Sequence, residues 1–308
     1  MDGPVVVGVG ANTEDHVCVA AGALAAAGKV RLRDYFRQPG GQVPTALVAL
    51  QRWGLSTAYI GPIGDDPGGV AQCESLRAEG VNIDGCRLVP GVSSQFSCIT
   101  IDAATGERTI QWHRDDSLSL SADQVDLSSI SGARAVLLDG EDLEAAVAAA
   151  GCARAAGATV MLDVDEPDAG TRRLLALSDI AIVPAGFAER FAPTADLAGA
   201  LRSICECGPS VSVATLGEGG AVGWRDGRVY RQPAFPVRAV DTTSAGDVFH
   251  AGFLYATLAG DDMNETLRFA AAAAALACTV LGGRASVPSL AAVRERLTSF
   301  EPNTADGE

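Results

Sequence analysis

Hydrophobic positions along this chain fall into short continuous runs separated by alanine-rich stretches. Residues 5–10, VVVGVG, are mostly β-branched and end at glycine, as suits a strand covered on both faces in a parallel sheet. Similar runs recur at 135–138, 159–163, 180–183 and 211–216. Between them lie helix-forming, alanine-rich segments at 45–53, 142–156 and 195–205. This alternation predicts an α/β fold: three layers, α/β/α, with a mostly parallel central sheet and helices on both faces.

Two segments break that rhythm. Residues 30–36 and 95–112 alternate or pair around a turn at Ala104-Thr105-Gly106, and no helix follows either of them. They predict an antiparallel hairpin and a partner strand, inserted at 29–37 and 95–113 as a small β-sheet lid over the mouth of the main domain. One domain over 1–301 is expected, with a frayed polar tail at 302–308. No internal repeat or low-complexity linker divides it.

At 308 residues and 48% hydrophobic, the chain can bury one large core. Its formal net charge of -15 opposes non-specific attraction to nucleic acid or to an anionic membrane, so neither partner is expected. The 8 cysteines are scattered without paired CxxC spacing, which favours buried, reduced thiols over a zinc site. The longest apolar run, residues 269–281, is too short to span a bilayer, and no export signal opens the chain; a cytoplasmic protein is expected.

The chemistry concentrates at residues 240–253, VDTTSAGDVFHAGF. Small residues at Ser244, Ala245 and Gly246 precede an apolar helix expected from about residue 248 to 258. The start of such a helix points unpaired N–H groups and the positive end of its dipole at whatever lies above, forming an anion hole. Asp247, in the first turn, sets a carboxylate beside that hole. A base there can take a proton from an attacking hydroxyl while the N–H groups stabilise a transferring phosphoryl group. A lone aspartate so near a helix start is more often a cap, but the string is longer than a cap requires.

The segment DTTSAGDVFHAGF resembles the C-terminal signature of the ribokinase (pfkB) family of carbohydrate kinases. The likeness extends over nearly the whole chain, through GGQVPTALVALQRWGLSTAYIGPIGDDPGG, GERTI, VATLGEGGAV and AAAAALACTVLGGRASVP. QPAFPV and GGRASVP bring it nearest the sulfofructose kinase-like branch. The resemblance implies a ribokinase-like fold and ATP-dependent phosphorylation of a sugar hydroxyl, with Asp247 as catalytic base over the 244–246 anion hole. It implies a sugar site at Asp15, Gly40, Gly41 and Thr45, with Lys29, Arg108 and Glu141 as further contacts. Asp15 is apt for gripping a diol, since a carboxylate accepts two hydrogen bonds.

A nucleotide site is implied at Thr215, Gly217, Gly220, Thr243, Cys278, Gly282 and Gly283. It is neither a Walker A loop nor a GxGxxG loop. Magnesium is expected as the ATP complex. A potassium ion beside the anion hole would match Asp241, Thr243 and Ser286. The resemblance further implies a homodimer formed through the lid.

The chain departs from the family pattern in three places. Ser244 stands where glycine is usual, and fits only if its φ is negative. Thr45 replaces an asparagine. Ala185 and Ala188 replace an Asn-x-x-Glu pair, with Glu189 one residue late and expected as a surface acid. His250 is expected to be packed beside the signature. A nucleoside kinase, with Phe36, Phe96 and Trp112 forming a base pocket, remains open, as does a non-catalytic sugar or nucleotide sensor.

Overall fold

In the structure, a computed structural model, residue 3 and residues 5–22, 29–105 and 108–300 are described. The tail expected at 302–308 and Gly106 of the expected hairpin turn lie outside them.

In chain order the elements begin with strands β1 (Val6–Val9), β2 (Thr13–Ala20) and β3 (Asp34–Gly40), then helix α1 (Gln42–Arg52). β4 (Thr57–Gly64), α2 (Pro67–Ala78), β5 (Asn82–Val89), β6 (Phe96–Asp102), β7 (Arg108–His113) and α3 (Leu127–Ser131) follow. The middle of the chain alternates: β8 (Ala135–Leu138), α4 (Leu143–Ala155), β9 (Thr159–Asp163), α5 (Thr171–Leu175), β10 (Ile180–Pro184), α6 (Ala185–Phe191) and α7 (Leu197–Cys205). It closes with β11 (Val211–Thr215), β12 (Ala221–Arg225), β13 (Arg228–Gln232), α8 (Ala245–Ala259), α9 (Met263–Ala277) and α10 (Leu290–Ser299).

The main sheet has 9 strands in the order β13-β12-β11-β10-β9-β8-β1-β4-β5. Every pairing from β11 to β5 is parallel, while β12 and β13 close one edge antiparallel. Alternate strand residues feed two cores. Val6, Leu137, Ile182 and Val213 pack with α1, α8 and α9 on one face. Val7, Val136, Leu138 and Val183 pack with α4, α6 and α7 on the other. Both faces are therefore covered, which is why these strands read as continuous apolar runs rather than alternating ones. The expected three-layer fold is present.

The lid is a separate 4-stranded sheet in the order β3-β2-β6-β7. Its expected boundaries need correction. The first inserted strand runs over Asp34–Gly40, so residues 30–33 are not strand, and β2 forms the centre of the lid. β2 pairs antiparallel with β3 and parallel with β6, and β6 pairs antiparallel with β7. In that register Asp15, Ser97 and Trp112 share one face. Hydrogen bonds join the lid to the body: among them Gly283 N–H donates to Gln38 Oε1 at 2.9 Å, and Arg284 Nη2 donates to the Gly40 carbonyl at 2.6 Å.

α8 also starts earlier than expected, at Ala245, with Ser244 as its N-cap. Among the described residues no helix is long and apolar enough to cross a membrane.

Candidate active site

A cleft of about 1240 Å³ opens between the cleft-facing side of the lid and the carboxyl ends of the main strands. Ligands of open α/β sheets bind at that edge. Its floor is the start of α8. Ser244 makes no side-chain cap bond, and among the described residues the N–H groups of Gly246 and Asp247 donate to nothing. Those two donors and the helix dipole form the expected anion hole.

Asp247 lies half-buried on the cleft wall, and its carboxylate makes no hydrogen bond among the described residues. A carboxylate that capped its own helix would be bonded to first-turn N–H groups; this one is left for a ligand. Burial holds its pKa well above the ordinary carboxylate value, and the nearby charges of Asp163, Asp165 and Asp15 raise it further, against an opposing contribution from Arg108.

Ser244 has φ -99°, a value open to any residue, so serine in place of the family's glycine carries no backbone strain. Its hydroxyl lies 2.5 Å from that of Ser286, which also donates to the Gly283 carbonyl at 2.7 Å.

Elsewhere on the cleft wall, Thr13 donates to Asp15 Oδ1 at 2.8 Å and so fixes the carboxylate. Gly40 is required here, because a Cβ on it would stand 2.1 Å from Asp15 Oδ2. Gly41 holds φ +91° and leads into α1, bringing Thr45 onto the cleft wall. Burial raises the pKa of Asp15, while Thr13 and Arg284 lower it. Arg284 is itself buried, donating to Asn12 Oδ1, the Gly40 carbonyl and Ser75 Oγ, and burial lowers its pKa to about 10.

Most of the residues expected from the sequence meet here. Asp247, Gly246, Ala245, Asp15, Gly40, Gly41, Thr45, Arg108 and Glu141 all line the cleft, and so do Thr215, Gly217, Gly220, Thr243, Cys278 and Gly283. Five others are not on its wall: Lys29 is exposed, Asp241, Ser244 and Ser286 are buried, and Gly282 donates its N–H to Asp241 Oδ2 at 2.9 Å.

Asp241 Oδ1 accepts from the N–H and hydroxyl of Thr243, at 2.9 and 2.5 Å. Asp241 and Thr243 are thus bonded to each other, whereas Ser286 bonds Ser244 and the Gly283 carbonyl. Glu189 is exposed and off the cleft wall, as expected for a surface acid, and Ala188 is buried.

Sequence reasoning passed over Gln42, Asp139, Asp163 and Asp165, which all line the cleft. Asp139 directly follows β8 and accepts from Ala11 N–H at 2.7 Å and Glu141 N–H at 3.0 Å; burial raises its pKa to about 7. Gln42 donates to Asp165 Oδ2 at 2.8 Å. The signal that exposed Glu141, an acid at the carboxyl end of a parallel strand, applies equally to Asp163, the last residue of β9, and to Asp165 just beyond it. The aromatic pocket is only partly assembled. Trp112 lines the cleft, Phe36 packs with Val17 and Ile99, and Phe96 turns to the outer face of the lid, edge-on to His16.

The sequence profile described as pfkB family carbohydrate kinase matches residues 6–290. This chain belongs to the pfkB family. As a pfkB-family carbohydrate kinase it is a phosphotransferase with an alcohol group as acceptor. An ATP-dependent ribose-1-phosphate kinase of Halopiger xanaduensis is 30% identical to it over 276 residues, covering 86% of this chain and 88% of that protein. A provisional ribokinase from Agrobacterium tumefaciens superposes with TM-score 0.90 at 29% identity, covering 96% of this chain and 98% of the other. Arabidopsis thaliana ribokinase, solved with ribose and ATP, superposes with TM-score 0.81 at 25% identity, covering 97% and 100%.

Proposed function

We propose that this kinase transfers the γ-phosphoryl group of MgATP to a primary hydroxyl of a neutral ketose or aldose. One observation carries the reading: the unbonded carboxylate of Asp247 stands beside the free N–H groups of Gly246 and Asp247, open to a cleft large enough for two substrates. Asp15 and the Gly40-Gly41 backbone hold the sugar. Thr215, Gly217, Gly220 and Cys278 border the nucleotide. Asp247 takes the proton of the attacking hydroxyl as the phosphoryl group settles over the helix start. Arg108 reaches down from the lid to Thr242 of the signature, its Nη1 donating to the threonine hydroxyl at 2.5 Å, and so brings a cation to the transferring group. Mg²⁺ bound with ATP, held by phosphate oxygens and water, disperses the charge of the polyphosphate.

The acidity of the wall supports a neutral acceptor. Asp15, Asp139, Glu141, Asp163, Asp165 and Asp247 face the cleft, against Arg108 as the sole arginine or lysine among the described lining residues. An anionic substituent, such as the sulfonate of sulfofructose or the phosphate of ribose 1-phosphate, meets repulsion there. A nucleoside acceptor is the second reading, favoured by the apolar lid patch of Ile99, Ile110 and Trp112 on the cleft wall. The exposed aromatics Tyr35 and Trp112 on the lid support pairing of two lids in a homodimer, which sedimentation of the purified protein tests.

ADP release from MgATP, measured against a panel of neutral sugars, nucleosides, sulfofructose and ribose 1-phosphate, tests the assignment. Saturable turnover with a neutral pentose or hexose is expected. Binding in thermal shift without turnover on any acceptor would make the protein a sensor instead.

A further inference from the structure

His250 lies on α8 one turn beyond the anion hole, and it is buried. Its Nδ1 is 2.8 Å from the Gly246 carbonyl, within the phosphoryl-binding turn itself. Its Nε2 is 3.2 Å from the Ile182 carbonyl and 3.2 Å from Asp163 Oδ1. Ile182 and Asp163 are neighbours in register across β10 and β9, so the ring bridges the start of α8 to the carboxyl ends of two central strands. Asp163 Oδ1 also lies 3.4 Å from Nε2 of Gln42, the residue after the Gly40-Gly41 pair. A chain of contacts therefore runs from the sugar loop, through Gln42, Asp163 and His250, to the anion hole.

Every atom facing the two ring nitrogens is an oxygen acceptor. Carbonyl oxygens cannot donate, so a ring carrying hydrogen on both nitrogens satisfies this setting, and Asp163 supplies the matching negative charge.

We propose that His250, donating from both ring nitrogens, is a positioning residue that clamps the phosphoryl-binding turn of α8 onto Asp163 and Ile182 and balances the charge of Asp163 beside the catalytic base. The inference rests on the kinase reading above. A neutral ring, with one donor nitrogen and one acceptor nitrogen, would leave one nitrogen lone pair facing an oxygen.

The charge balance makes the proposal testable through pH. Asp247 is faced by Asp163 and Asp165 from the end of β9, by Asp15 from β2 and by Arg108 from β7, with Arg284 also within electrostatic reach. The base works ionised, so activity rises with pH through its ionisation. His250→Gln leaves the Asp163 carboxylate unbalanced, which favours the protonated form of Asp247 and moves the acid limb of kcat/KM to higher pH. Asp163→Asn removes a like charge and moves the same limb to lower pH. The double variant returns towards wild type. His250→Gln also lowers kcat by about 10–100-fold, as expected when a binding turn loosens by a fraction of an ångström.

The experiment is a pH profile of sugar-dependent ADP release for the four proteins, each first checked for a cooperative melt. Limbs displaced in opposite directions support the proposal. Limbs that coincide with wild type, or that move together, overturn it. A wild type with no turnover on any acceptor sinks the kinase reading instead, and the catalytic role of the clamp with it. The donor pattern is read independently of activity by NMR of the imidazole rings, which number only 3. Two protonated nitrogens on the ring that vanishes in His250→Gln are expected; a ring with one protonated nitrogen overturns the assignment.

Discussion

Replacing Asp247 by asparagine keeps the shape of the cleft floor and removes only the group that accepts the proton. General base catalysis contributes about 10²–10⁴-fold, so kcat is expected to fall by that factor, an increase of about 3–5 kcal/mol in the barrier. The KM values for ATP and sugar should change little, since Asp15 and the nucleotide wall are untouched. The same substitution has an opposite effect on stability. Burial and the carboxylates of Asp163, Asp165 and Asp15 raise the pKa of Asp247 in the folded protein. The folded state therefore binds this proton more tightly than the unfolded chain, and stability declines as pH rises from the ordinary carboxylate range through the raised value. Asparagine carries no charge to bury, so the variant should melt above wild type at pH 8, with the difference shrinking as pH falls towards 4. A coupled ADP assay and thermal melts at several pH values measure both effects. A variant that keeps kcat within tenfold of wild type, or that melts below it at pH 8 while still inactive, would refute this reasoning.

The other predictions concern neighbouring groups. Arg108→Ala removes the exposed lid guanidinium bonded to Thr242; kcat/KM should fall about 10–100-fold with the melting temperature almost unchanged, and unaltered kinetics would contradict a role at the phosphoryl group. Ser244→Gly should cost about 0.5–1.5 kcal/mol through the lost contact with Ser286 and should not raise kcat, because φ is already unstrained; a several-fold activation would show that serine hinders the anion hole. Arg284→Met strips donors from Asn12, Gly40 and Ser75 and removes the cation near Asp15. A loss of about 3–5 kcal/mol in chemical denaturation is expected, and a loss under about 1 kcal/mol would exclude Arg284 as the brace of the sugar loop.

Strands buried on both faces were readable because burial leaves a continuous apolar run: Ala135–Leu138 and Thr159–Asp163 fall where the pattern puts them. β4, wholly buried, was hidden by Gly61, Pro62 and Gly64, residues that signal turns elsewhere. β2 was hidden differently. It carries Thr13, Asp15 and Val17 on the cleft face and Glu14, His16 and Cys18 on the other, a period-two pattern whose inward positions are partly polar because they serve a ligand. The start of α8 was set too late because Ala245-Gly246-Asp247 lacks apolar periodicity, although the helix begins there. At the site, the local string around Asp247 was sufficient to locate the helix start and the unbonded carboxylate on the cleft wall. The chain of contacts from Gln42 through Asp163 to His250 forms only when three elements far apart in sequence meet, which no local pattern reveals.

The central claim is that the cleft joins a phosphoryl group to a sugar oxygen. It is tested most directly by ³¹P NMR of the products formed from MgATP and the best neutral sugar. Equal amounts of ADP and one new sugar phosphomonoester are predicted, both formed about 10²–10⁴-fold more slowly with Asp247→Asn. ADP accompanied only by inorganic phosphate, or equal product from the Asp247→Asn variant, would contradict the account.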